Sequence, residues 1–155
     1  MTAPQFVIRS ALMDDIEAIC ELGKRGHDKS EFAALAYDEG SVKLLIANCI
    51  VRKTLCAYIA ESDGKIVGVI LGQEDKHPFV KMQFATDIAL YSESPGAGRK
   101  LLERFKVWAL EERKVDRLMM AVSSGEKSIK STAAMYTRLG FKHIGCFFTM
   151  DRSVV

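Results

Sequence analysis

The chain has 155 residues, 48% of them hydrophobic and 27% charged, with 11 Gly and 3 Pro; this balance fits one compact domain over 1–155 and argues against disorder. Lys and Arg number 22 against 20 Asp and Glu, a net charge of +2 that is too small to point to nucleic acid, which is not expected as a partner. No apolar run approaches the roughly 18 residues of a bilayer span, and Met1 to Ser10 lacks a signal-peptide pattern, so a soluble, cytoplasmic protein with no membrane partner is expected.

Gln5 to Arg9 reads as a short strand. Asp14 and Asp15 are placed to cap a helix whose Ile16, Ile19, Cys20 and Leu22 share one side, until Gly23 and Gly26 weaken it. Lys24 to Ser41 is polar and irregular, and Ser41 precedes a second helix with Val42, Leu45, Ile46, Cys49 and Ile50 at helical spacing. Leu55 to Glu61 and Lys65 to Gly72 are strand patterns joined by Asp63-Gly64, a dipeptide suited to a tight hairpin.

Met82 to Tyr91 reads as the next strand and runs into Ser92-Glu93-Ser94-Pro95-Gly96-Ala97-Gly98. A long amphipathic helix follows, with Leu101, Leu102, Phe105, Trp108, Ala109 and Leu110 on its apolar side. Leu118 to Val122 has the pattern of a buried strand, Ser128 to Leu139 that of a helix closed by Gly140, and Phe141 to Met150 that of a final strand or hairpin broken at Gly145. The expected order is β-α-α-β-β-β-α-β-α-β, an α/β chain of α+β type with a mixed, mostly antiparallel sheet. Cys20, Cys49, Cys56 and Cys146 form no CxxC and no Cys/His pair at ligand spacing, so buried reduced thiols and no metal are expected.

The chemistry concentrates at Pro95 to Leu102. Small residues between a strand and a helix leave backbone N–H groups uncovered, and the positive end of the helix macrodipole favours an anion such as a diphosphate, with Arg99 and Lys100 adding charge. A plain turn requiring small residues for packing is the competing explanation. A Rossmann site fits poorly, because the turn follows a hairpin late in the chain and Leu101 stands where GxGxxG needs its third glycine. Nothing matches a Walker loop.

Glu93, Gly96, Gly98, Leu101 and Leu102 resemble the phosphate-loop signature of the GNAT acyltransferases, which begins with Gln or Arg, then two residues, Gly, one residue, and Gly or Ala, ahead of paired Leu. Glu93 departs from that first position. Ala133 to Phe141, with Tyr136 and Gly140-Phe141, resembles the family's later helix, although Ile129 and Thr132 replace its usual Asn and Ala. The resemblance covers Gln5 to Asp151 and implies the GNAT fold, with about four helices around the sheet. It also implies acetyl-CoA as co-substrate, contacted by Ile88, Leu90, Ser94, Gly96, Ala97, Gly98, Arg99 and Lys100.

Acyl transfer to an amine needs a neutral amine, whereas a free alkylammonium has a pKa of about 10.4, so a base or water chain must remove a proton. Asp87, on the strand entering the loop, is the first candidate, and Glu93 the second; either could instead be a solvated or capping carboxylate. The leaving thiolate needs a proton in return, and the resemblance places Tyr136 there as general acid. An oxyanion would be steadied by backbone N–H where the central strand splays, near Ile88 to Leu90.

By the same resemblance, the segment between the first two helices lines the acceptor side, with His27, Ser30 and Phe32 as contacts for a small-molecule amine or a protein amino group. A homodimer through the late strands is compatible with the apolar Cys146-Phe147-Phe148 run. The alternative function is a catalytically weak domain that binds CoA or a partner, which Glu93 in the first motif position keeps open.

Overall fold

The computed structural model describes residues 5–122, 126–150 and 152, with the backbone alone described for 126–128. Five strands, β1 (Val7–Ser10), β2 (Leu55–Ser62), β3 (Lys65–Lys76), β4 (Gln83–Ser92) and β5 (Arg117–Met119), form one sheet in that spatial order. The first four pair antiparallel, and β5 joins β4 in parallel. Helices α1 (Ile16–His27), α2 (Glu39–Val51), α3 (Ala97–Lys106) and α4 (Glu126–Arg138) complete the mixed architecture that the sequence pattern implies.

Alternation along the central strands sends side chains to two cores. Cys56, Tyr58 and Ala60 of β2 and Ile70 of β3 pack with Leu101, Leu102, Phe105 and Trp108. Ala57 and Ile59 of β2 and Val69 and Leu71 of β3 pack instead with Ile19 and Leu22 of α1 and Ile46 and Cys49 of α2. The β2–β3 turn is the hairpin that Asp63-Gly64 predicts, with both residues at positive φ, 50° and 73°.

Several local expectations are corrected. Asp15 does not cap the first turn of α1 with its side chain: its carboxylate takes two bonds from Arg9, at 2.7 and 3.0 Å, and the Leu12 N–H at 2.7 Å, which fixes the corner between β1 and α1. Gly23 and Gly26 do not interrupt α1. They are contact points, because a Cβ at Gly23 would lie 2.8 Å from the Tyr37 hydroxyl and one at Gly26 would lie 2.9 Å from the Tyr91 ring. Helix α2 begins before Ser41, since Asp38 is its cap and accepts the Ser41 N–H at 3.0 Å.

The long central helix changes character at Val107, where Val107–Glu112 widens into π-helix and the Arg113 N–H reaches back to the Trp108 carbonyl at 2.8 Å. The expected final strand is not formed: residues 141–150 join no ladder, and Ile144, Phe147, Phe148 and Met150 are exposed. Strand β5 is only three residues long, so its outer edge offers few ladder bonds to hold another strand. Cys146 is exposed with this segment, whereas Cys20, Cys49 and Cys56 are buried and free.

Candidate functional site

The glycine-rich turn lies between β4 and α3. Gly96 caps α3 at φ 88°, a left-handed conformation that a side chain would strain, and the Ala97 N–H bonds the Ser94 carbonyl at 3.1 Å. Gly98 sits in the first helical turn, and a Cβ there would meet the Ser92 hydroxyl at 3.1 Å. The small residues thus let the turn pack against the Ser92 side chain and leave first-turn amides without intrahelical acceptors, which is a fit to an anionic diphosphate. Arg99 and Lys100 stand beside the turn; Arg99 Nε bonds Glu103 at 2.9 Å, and Lys100 Nζ lies over the Phe6 ring, 5.6 Å from its centroid.

Upstream, β4 carries a bulge. Leu71 pairs with Ala89 and Gly72 with Asp87, so Ile88 is the extra residue. Ala85 and Leu90 consequently face one core while Ile88 and Tyr91 face the other. The parallel ladder to β5 ends at Thr86 opposite Met119. Ladder pairing thus ends two residues before Ile88, the start of the Ile88 to Leu90 stretch where a splay is expected.

Beyond the ladder, the Ala121 N–H donates to Asp87 Oδ1 at 3.2 Å, and the Tyr136 hydroxyl donates to the Ala121 carbonyl at 3.2 Å. The backbone of one residue, Ala121, therefore joins the candidate base and the candidate acid, through its N–H on one side and its carbonyl on the other. Burial pushes the Asp87 carboxyl above the usual carboxylate range, although the bond from Ala121 opposes the shift. Burial, and then the charge of Asp87, push the Tyr136 phenol well above its ordinary value. Tyr136 lies against Phe141, with ring centroids 5.5 Å apart.

A carboxyl whose pKa is raised by folding favours the native state at low pH and loses that contribution as pH rises through the raised value. Asp87→Asn removes the buried charge and keeps an oxygen for the Ala121 N–H. The melting temperature of this variant at neutral pH should rise, and its acid-range pH dependence should flatten, in a calorimetric pH series against the parent.

Glu93, two residues beyond Tyr91, meets α1. Arg25 Nε and Nη2 bond its two carboxylate oxygens at 2.8 and 3.1 Å, and the Lys29 ammonium donates to the Tyr91 hydroxyl at 3.2 Å. Arg25 holds the Glu93 carboxyl below the usual range. The anion that departs from the GNAT signature is therefore compensated by a guanidinium at the end of α1. Glu93→Gln should cost about 0–1 kcal/mol of stability, since the pair is partly exposed, a change that thermal melts of the variant against the parent read.

The three acceptor-side candidates are less uniform. The His27 ring packs against Tyr37 with centroids 5.3 Å apart, and the Ser30 hydroxyl donates to the His27 carbonyl at 2.8 Å while accepting the Phe32 N–H at 3.1 Å. Ser30 is thus occupied in shaping the turn, and Phe32 is the one of the three that is exposed. Reading the sequence missed Arg25 and the Ala121 peptide. Arg25 is 68 residues from Glu93, and Ala121 acts through its backbone, so neither leaves a local motif.

No family model matches the sequence, and no curated protein does. Solved structures match the fold. A predicted acetyltransferase from Clostridium acetobutylicum, crystallised with acetyl-CoA, superposes with a TM-score of 0.73 at 18% identity, covering 97% of this chain and 99% of that one. An acetyltransferase of the GNAT family from Streptococcus pneumoniae gives 0.71 at 17% identity, covering 91% and 86%. A ribosomal-protein-alanine N-acetyltransferase from Brucella melitensis gives 0.68 at 13%, covering 95% and 99%. The chain has the fold of the GNAT acetyltransferases.

Proposed function

We propose that this chain is an acetyl-CoA-dependent N-acyltransferase acting on a primary amine of a small molecule or protein by direct attack, with Tyr136 as general acid and Asp87 as the proton acceptor. The observation that carries the reading is the end of β4–β5 pairing after Thr86 and Met119, with the glycine turn at the end of β4 and Asp87, on the same strand, linked through the Ala121 backbone to Tyr136. Acetyl-CoA supplies the acyl group as an activated thioester.

The chain's own residues account for the rest. Amides of the Gly96–Arg99 turn, with Lys100 nearby, hold negative charge. The Ile88 bulge frees backbone N–H from the ladder, where a developing oxyanion can be received. Asp87, less acidic than an ordinary carboxylate, takes a proton from the ammonium so that the C–N bond can form. Tyr136 keeps its proton at physiological pH and can give it to the sulfur as the C–S bond breaks. The wild-type rate should rise with pH through an apparent pKa above the ordinary Asp value and show no alkaline limb from Tyr136 below about pH 10.

A second reading, a domain that binds CoA or a partner without turnover, has the Glu93 carboxylate beside the turn in its favour. Calorimetric titration with acetyl-CoA, followed by thiol release with a panel of primary amines, separates the two. Binding with thiol release supports the enzyme; binding without release for any amine supports the second reading; no uptake of the coenzyme removes both CoA-based readings.

A further inference from the structure

A groove of about 930 Å³, open to solvent where Leu110, Ile144 and Phe147 are exposed, lies between β5, α4, the end of the π-helical turn and the chain after Gly140. Leu110, Leu118, Met120, Leu139, Phe141 and Ile144 are among its apolar lining residues, and Tyr136 and Ala121 line the same space. The volume falls at the upper end of the roughly 300–1,000 Å³ typical of small-molecule sites. An acetyl group alone would leave most of it unfilled.

We infer that this groove receives the acyl chain of a longer acyl-CoA, so that the preferred donor carries a medium-length aliphatic acyl group. The inference rests on the CoA-dependent reading above and specifies its donor. Continuity carries it: the space opens at the residue proposed to protonate the thiol, so a chain attached to the thioester carbonyl starts at the groove wall. Its apolar side chains match a methylene chain, and among the described residues the charged lining groups, including Lys106, Asp116 and Arg117, include no buried unpaired ion that would select a polar acyl group.

The experiment compares calorimetric affinities for acetyl-, butanoyl-, hexanoyl- and octanoyl-CoA. Each methylene moved from water into an apolar site is worth about a fourfold gain in affinity, so even with losses from chain ordering hexanoyl-CoA should bind at least about tenfold tighter than acetyl-CoA. Ala133→Phe on α4 and Leu110→Trp on the π-helical turn, both lining the space, place bulk in it. Ala133 is exposed on α4 and Leu110 is partly exposed, so both variants should fold. Each should erase the chain-length gain while leaving acetyl-CoA affinity within about twofold.

If acetyl-CoA binds but affinity is flat with chain length, the inference is overturned and the acetyltransferase reading stands. If the gain persists in both filled variants, the chain lies elsewhere and the inference is likewise overturned. If no CoA thioester binds at all, the underlying reading fails and takes the inference with it.

Discussion

Replacing Tyr136 by Phe should lower kcat for thiol release about a hundredfold or more while leaving acetyl-CoA affinity nearly unchanged. The phenol is buried, and among the described residues its hydroxyl bonds the Ala121 carbonyl. Phe retains the ring that packs on Phe141, so the loss is confined to the proton donor and one hydrogen bond, worth about 1 kcal/mol of stability. A rate loss with an intact melting curve identifies the donor. An unchanged kcat would mean that solvent protonates the thiolate, and Tyr136 would then be a core residue.

The largest stability effect should come from Gly72→Ala. A Cβ there would overlap the Phe105 ring, with Cζ at 2.7 Å, and would lie 3.0 Å from Cys56 Sγ. Phe105 is completely buried in the α3 core, and Gly72 is held on both sides, opposite Cys56 on β2 and Asp87 on β4. Neither strand can move aside without breaking the ladder beside the bulge, so the ring must leave its position. A cost of about 3 kcal/mol, at the upper end for overpacked cores, would lower the melting temperature by roughly 6–12 °C. Adding Phe105→Leu should recover part of that loss by making room, a non-additivity that a double-mutant cycle measures directly.

What could be read in advance followed the range of the interaction. Asp63-Gly64 defines its own turn, and Leu101, Leu102 and Phe105 mark the buried side of α3, because both signals lie within a few residues. Gly96 and Gly98 stood out for the same reason. The Arg25–Glu93 pair and the Asp87–Ala121–Tyr136 connection are assembled by the fold from distant positions, so no spacing records them. Asp15 misled because a carboxylate before a helix ordinarily caps it, whereas here Arg9 on β1 outcompetes the helix amides. Phe141 to Met150 misled differently: alternation shows which side chains could share a face, but a strand also needs an edge to pair with, and β5 provides little.

The inserted residue at Ile88 also bears on which changes in chain length β4 can absorb. Taking Ile88 itself out would act like erasing an inserted letter: Asp87 and Ala89 would follow one another opposite Gly72 and Leu71, and every side chain from Ala89 to the glycine turn would keep its present face. Leu90 would stay in the α3 core, and Tyr91 would stay against Gly26, where α1 rests on its ring. Losing a residue from Ala89 onward would instead put the remainder of the strand out of phase. The odd residue is thus the one place where β4 can shorten by one without exchanging its faces, at the expense of the local kink it introduces.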